Sequence, residues 1–347
     1  MDREVIVLNK ERNVTLTAYI QKVGGEFPNI TKRPAVIVIP GGGYHFCSDR
    51  EAEPVAFAYL KAGYHAFILR YSINEDARWP NPLSDYEQAM ELIRSRAEEW
   101  NIYENKIAVV GFSAGGHLAA CAATMAKSRP NAAILGYPVL MGEYVKMCLK
   151  SAPDVVSAVD KNTCPCFVFS TRTDNVVPII NSVSFLNSLT EHDISFECHI
   201  YSYGPHGYST GDSSLLAPGT DISNRAHNWV NDSIEWLKEV FGEFGHGNMT
   251  EPKYKNLITG DNENYLSADC TIKHLMKNDN AKDIIAPVIE QLRDKISSAF
   301  GGDQLDEKDL RTEYIFRLKL RDVLEIAGMS QETIKRLDEQ LHKIPNK

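Results

Sequence analysis

The run Lys106-Ile-Ala-Val-Val-Gly-Phe-Ser-Ala-Gly-Gly-His117 leaves this chain few ways to fold. Residues 107–110 are a short apolar stretch that reads as a buried strand, and residues 118–127 read as an Ala-rich helix. Between them lies Gly111-Phe-Ser-Ala-Gly115, a G-x-S-x-G pattern in a strand–turn–helix setting. A turn that tight leaves no room for side chains beside the serine. It therefore predicts Ser113 in a strained backbone region with its hydroxyl exposed. The N-terminus of the following helix presents free N–H groups to any negative charge that forms there.

Three other segments fit the same chemistry. Ala35-Val-Ile-Val-Ile-Pro-Gly-Gly-Gly-Tyr-His-Phe46 is an apolar strand running into three glycines, a backbone that can approach a ligand closely and aim N–H groups at it. In Cys166-Phe-Val-Phe-Ser-Thr-Arg-Thr-Asp174 a strand ends in a loop carrying an acid, and in Phe196-Glu-Cys-His-Ile-Tyr-Ser-Tyr-Gly-Pro-His206 a strand ends in a loop carrying a histidine. The chain order Ser113, Asp174, His206 is the order of an α/β-hydrolase, not of the chymotrypsin or subtilisin folds. A serine hydroxyl needs a neutral imidazole to take its proton, the imidazole needs a carboxylate to orient it, and the oxyanion needs preorganised donors. Asp193 and Asp160 compete as the acid but precede strands, where turn roles are commoner. His192, His199 and His117 compete as the base. His199 lies inside an alternating strand, and His117 follows the glycines at the helix start. Tyr44, Phe46, Trp79 and Tyr203 are candidates for substrate stacking, with Tyr44-His45-Phe46 expected to crowd the acyl side.

Pro40-Gly-Gly-Gly-Tyr44, Ser48-Asp-Arg-Glu-Ala-Glu-Pro54, Gly63-Tyr-His-Ala-Phe67, Arg70-Tyr-Ser72, Pro82-Leu-Ser-Asp85 and Gly111-Phe-Ser-Ala-Gly-Gly-His117 together resemble the bacterial α/β-hydrolase acetyl esterases and xylan acetylesterases. That group is related to the hormone-sensitive-lipase group, whose glycine motif usually starts with His; here Pro40 takes that place. The resemblance covers residues 1–245. It implies a serine carboxylesterase favouring short acyl groups, often acetyl esters on plant-derived oligosaccharides, with oxyanion donors on Gly42, Gly43 and Ala114. A serine peptidase of the same fold is the main alternative, but such enzymes usually carry a propeller or a large extra N-terminal domain.

Strand and helix patterns alternate through residues 1–245, as a mostly parallel sheet with helices on both faces requires. An opening hairpin is expected at residues 5–8 and 14–20. Segment 137–165 is the place for a cap, too short for a large lid. The net charge of −9, from 37 basic and 46 acidic residues, argues against nucleic acid or an anionic membrane as the main partner. Seven cysteines, an odd count without paired spacing, read as reduced thiols. Residues 1–6 lack the basic and apolar pattern of a secretory signal, so a cytoplasmic location is expected. No metal-ligand spacing stands out, and neither metal nor cofactor is expected.

Residues 246–265, polar and rich in Gly and Asn, read as a linker, and residues 266–347 as an all-helical accessory domain. Ile284, Ile285, Val288, Ile289, Leu292 and Ile296 mark one apolar face, with Pro287 at a helix start or kink. Leu320, Val323, Leu324 and Ala327 mark another, stopped by Gly328, and Ser330 can cap a last helix carrying Ile334, Leu337, Leu341 and Ile344. Residues 320–337 have the rhythm of a helix-turn-helix. From residue 266 onward, however, 14 Lys/Arg face 15 Asp/Glu, and phosphate binding needs clustered positive charge. Faces this regular are expected to pack on the catalytic domain or on a second copy of the chain, making a homo-oligomer.

Overall fold

The computed structural model describes residues 1–254, 259–261, 263–299 and 310–346. The chain divides into two compact units, Met1–Asn256 and Leu257–Lys347. The first is built on one eight-stranded sheet: β1 (Asp2–Asn9), β2 (Val14–Ile20), β3 (Arg33–Ile39), β4 (His65–Arg70), β5 (Ile102–Phe112), β6 (Ala132–Gly136), β7 (Cys166–Thr171) and β8 (Phe196–Tyr201). Their spatial order is β1-β2-β4-β3-β5-β6-β7-β8. The opening hairpin is antiparallel and β2 pairs antiparallel with β4, while every pairing from β4 through β8 is parallel.

Helices α1 (Glu53–Lys61), α2 (Asn81–Ser95), α3 (Ala97–Trp100), α4 (Ser113–Met125), α5 (Gly142–Cys148), α6 (Ile180–Glu191) and α7 (Trp229–Phe241) make the crossovers and flank the sheet. The near-continuous apolar run of β3 follows from burial on both faces. Val36 and Val38 pack with Trp229, Trp236 and Phe241 on one side, and Ala35, Ile37 and Ile39 with Met90, Ile93 and Leu118 on the other. That alternation is the two-residue period of a strand. In such a sheet the crevice for a ligand lies beyond the carboxyl ends of the strands, and there the loops after β3, β5, β7 and β8 meet.

Two buried histidines contribute to the pH dependence of this unit's stability. Burial pushes His65 and His117 down to about 4 from an ordinary 6.5. Each ring takes up a proton more readily in the unfolded chain, so stability rises with pH between about 4 and 6.5 and is lost as pH falls through that window. Shifts of this size correspond to about 3 kcal/mol per ring. The urea midpoint is therefore expected to drop markedly between pH 7 and pH 4.5, and an unchanged midpoint would count against neutral, buried rings.

The second unit is helical in its described residues: α8 (Ile272–Leu275), α9 (Asp279–Gln291), α10 (Arg293–Ala299), α11 (Leu310–Arg317), α12 (Leu320–Ile326) and α13 (Gln331–Leu341). Ser330 caps α13 by accepting the Thr333 N–H, and Gly328 takes a φ of +79° between α12 and α13. Pro287 lies inside α9, not at its start. Ile285, Leu292, Ile296, Leu320, Val323, Leu324, Ile334 and Leu341 bury one another in a core of their own, which accounts for their regularity. Several residues of the expected linker, 246–265, are bonded to one unit or the other. The Gly247 N–H donates to Asn29, and those of Lys253 and Tyr254 donate to Glu239, which holds this stretch on the first unit. Asp261 accepts the N–H and hydroxyl of Thr271, which ties it to the second. Residues 255–258 and 262, also within the expected linker, lie outside the described residues.

Candidate active site

Strand β5 delivers Phe112 directly into α4, and Ser113 at the junction has a φ of +52°. A non-glycine residue held in the left-handed region costs of order 1–3 kcal/mol and persists only where its surroundings enforce it. The enforcement is steric. A Cβ on Gly115 would stand 2.2 Å from the Ile39 carbonyl oxygen, so only glycine lets α4 start this close to the end of β3.

The Ser113 Oγ lies 2.8 Å from His206 Nε2, and His206 Nδ1 lies 2.6 Å from Asp174 Oδ2. Asp174 is buried, and its other oxygen accepts the N–H groups of Val176 and Val177, both at 2.9 Å. With its acceptor face fixed, the carboxylate accepts a hydrogen bond from Nδ1–H and leaves Nε2 free to accept from the serine hydroxyl. The competing residues are engaged elsewhere. Asp160 pairs with Arg129 at 2.5 Å, and His199 bonds Glu197 at 2.7 Å and stacks on Phe167. His192 sits against the Ser188 carbonyl at the end of α6, and Asp193 is a buried turn residue with a φ of +59°.

The glycine loop after β3 is tied at nearly every residue. Tyr71 Oη donates to the Pro40 carbonyl, the Ser48 N–H to the Gly41 carbonyl, and the His45 N–H to the Gly42 carbonyl. Gly42 has a φ of +134°, and a Cβ there would meet the Phe46 carbonyl oxygen at 2.0 Å. Among the described residues no acceptor takes the N–H of Gly42 or Gly43. Ala114 lies in the first turn of α4, where backbone N–H groups have no intrahelical acceptor.

Gly42, Gly43, Ser113 and His206 line a cleft of about 340 Å³. Its walls are mostly apolar: Phe46 on the glycine loop, Val139, Tyr144, Met147 and Cys148 on the segment after β6, and Val176 and Val177 beside Asp174. Arg50 and the buried Glu51 are its charged members.

Of the four aromatic residues expected to meet substrate, Phe46 lines the cleft and is well exposed. Tyr44 does not: it is buried, and its hydroxyl donates to His117 Nδ1 at 2.7 Å while His117 Nε2 faces the Pro153 carbonyl at 3.0 Å. Tyr44 thus anchors the glycine loop to the first turns of α4. Trp79 is half-buried with its ring 5.9 Å from His117, and the exposed Tyr203 lies outside the cleft lining. Val139, Tyr144, Met147, Cys148, Arg50 and Glu51 were not foreseen. Of these, Arg50 and Glu51 had a visible trace, in the Ser48–Pro54 motif. Among the described residues no cluster of three or more His, Cys, Asp or Glu side chains is arranged to hold a metal ion. No helix there is long and apolar enough to cross a membrane.

Residues 27–136 match the BD-FAE family. Endo-1,4-beta-xylanase B of Butyrivibrio fibrisolvens is 32% identical over 216 residues, which are 54% of this chain and 34% of that protein. The acetylxylan esterase of Xylanibacter ruminicola is 31% identical over 199 residues, 51% of this chain and 41% of that one. The chain therefore spans well under half the length of these curated relatives. A crystal structure of MGS-M1, an alpha/beta hydrolase enzyme from a deep-sea metagenome library of the Medee basin, superposes with a TM-score of 0.64. It is 42% identical and covers 69% of this chain and 98% of its own.

Proposed function

This chain belongs to the α/β-hydrolase family, and we propose that it is a serine carboxylesterase acting on acetyl esters of plant-derived oligosaccharides. The observation that carries the reading is the hydrogen-bonded line from Ser113 through His206 to Asp174 at the mouth of an apolar cleft. In this mechanism His206 Nε2 takes the Ser113 proton as Oγ attacks the acyl carbon, and Asp174 stabilises the imidazolium that forms. The N–H groups of Gly42, Gly43 and Ala114 receive the oxyanion. His206 returns the proton to the departing alkoxide, and water, activated by the same imidazole, releases acetate from Ser113.

The named activity of the Xylanibacter relative supports an acetylated xylan as the class of substrate. Support for a short acyl group comes from Phe46, exposed on the glycine loop beside Gly42. The expected result is a kcat/KM for nitrophenyl acetate well above that for the octanoate, with acetate released from acetylated xylo-oligosaccharides. A higher kcat/KM for octanoate and longer esters would overturn the acyl assignment. Inactivity on all acetylated xylo-, manno- and gluco-oligosaccharides would overturn the alcohol assignment.

A further inference from the structure

Glu51 follows the glycine loop in sequence and returns beneath it. It is 3% exposed, and among the described residues no Lys or Arg lies within ion-pair distance of its carboxylate. A carboxylate removed from water this completely costs several kcal/mol unless its oxygens are well satisfied. Here each oxygen has one strong donor. Oε2 accepts the Gly41 N–H at 2.8 Å, and Oε1 accepts the Tyr137 hydroxyl at 2.6 Å. Burial pushes the Glu51 carboxyl up, and these two donors offset only part of that rise.

Both donors belong to loops of the candidate site. Gly41 precedes the first expected oxyanion donor. Tyr137, just past β6 with a φ of +37°, is fully buried. Its ring meets the His206 ring edge-to-face at 5.0 Å, and its hydroxyl oxygen accepts the Ser209 N–H at 3.0 Å. Ser209 in turn donates its hydroxyl to the Arg50 carbonyl, closing the circuit next to Glu51. One carboxylate therefore spans from the loop that carries the oxyanion donors to the loop that carries the base. No other group described in this unit bonds the glycine loop while reaching the histidine loop through a single side chain.

We infer that Glu51, through Tyr137, is a positioning residue that sets the oxyanion loop and the histidine loop in register with each other. This rests on the esterase reading and adds to it a residue that never touches substrate at the reacting carbon. A group of this kind acts on the transition state, where oxyanion and imidazolium exist together, and has little to do when substrate merely binds.

The test uses the full chain and nitrophenyl acetate. Glu51→Gln keeps the shape, but with its oxygen on Gly41 N–H it turns an amide N–H toward Tyr137, whose own hydroxyl proton then loses its acceptor. Tyr137→Phe removes the other half of the bracket and leaves Glu51 in place. Each variant is expected to lower kcat and kcat/KM together, by on the order of ten- to a hundredfold, with KM nearly unchanged. The double variant should lose little more than the worse single one, because both break one bracket. Thermal melting and near-UV circular dichroism establish that each variant is folded. If Glu51→Gln does not fold, Tyr137→Phe carries the test alone. Wild-type kcat in folded variants, a loss confined to KM, or fully multiplicative losses would each overturn the inference. The esterase reading stands or falls separately, on whether Ser113→Ala is inactive.

Discussion

Replacing Ser113 with alanine is expected to abolish ester hydrolysis, a loss on the order of a million-fold in turnover, while the fold survives. The substitution removes one oxygen, and that oxygen's contact in the structure is His206 Nε2 at 2.8 Å. The left-handed backbone at residue 113 is enforced by the packing of α4 against β3, not by the hydroxyl, so alanine inherits the same geometry. Fluorophosphonate labelling should vanish with activity, and the thermal midpoint should stay close to that of the parent. Residual turnover near the parent level would place the nucleophile elsewhere.

Asp174→Asn should be nearly as damaging, by on the order of ten-thousandfold in kcat, for a reason specific to this site. Oδ1 of Asp174 accepts two backbone N–H groups, from Val176 and Val177. An asparagine must keep its oxygen there, which turns its amide N–H₂ toward His206 Nδ1. That nitrogen then has to accept, the ring proton moves to Nε2, and Nε2 can no longer receive the Ser113 proton. The variant should fold and retain affinity for substrate while losing kcat. An Asp193→Asn variant should remain active; if Asp193→Asn is dead and Asp174→Asn is not, the acid has been misassigned.

Ser113, Asp174, His206 and the glycine loop were legible because each follows the carboxyl end of a strand. A parallel sheet brings those ends to one edge whatever the spacing between them in the chain. Ser113, Asp174, His206 and the three glycines all have that position. What pattern could not supply is the direction of a side chain within a loop. Tyr44 and Phe46 are two residues apart, yet the first is buried against His117 and the second faces the cleft. The ring that made Tyr44 read as a stacking surface carries the hydroxyl that fastens the loop.

The same limit hid Glu51. Asp49, Glu51 and Glu53 alternate along one short stretch, and composition cannot say which of the three carboxylates leaves water. In the structure Asp49 and Glu53 face Arg70, and only Glu51 turns inward. In the helical unit, periodicity identified the apolar faces but not what they face, and they face one another.

Helix α5 supplies Tyr144, Met147 and Cys148 to the cleft wall, and it sits in the excursion between β6 and β7. It is held at its root by side chains from outside itself: the Gly142 N–H donates to Asp154, and those of Leu140 and Met141 donate to Asn181. The groups proposed to break the bond follow the ends of β5, β7 and β8 instead. On the proposed reading, this part of the cleft wall and the reacting groups are thus written on different stretches of the chain. The seven residues of α5 can be exchanged, and the cleft wall reshaped with them, without revising a single strand of the sheet.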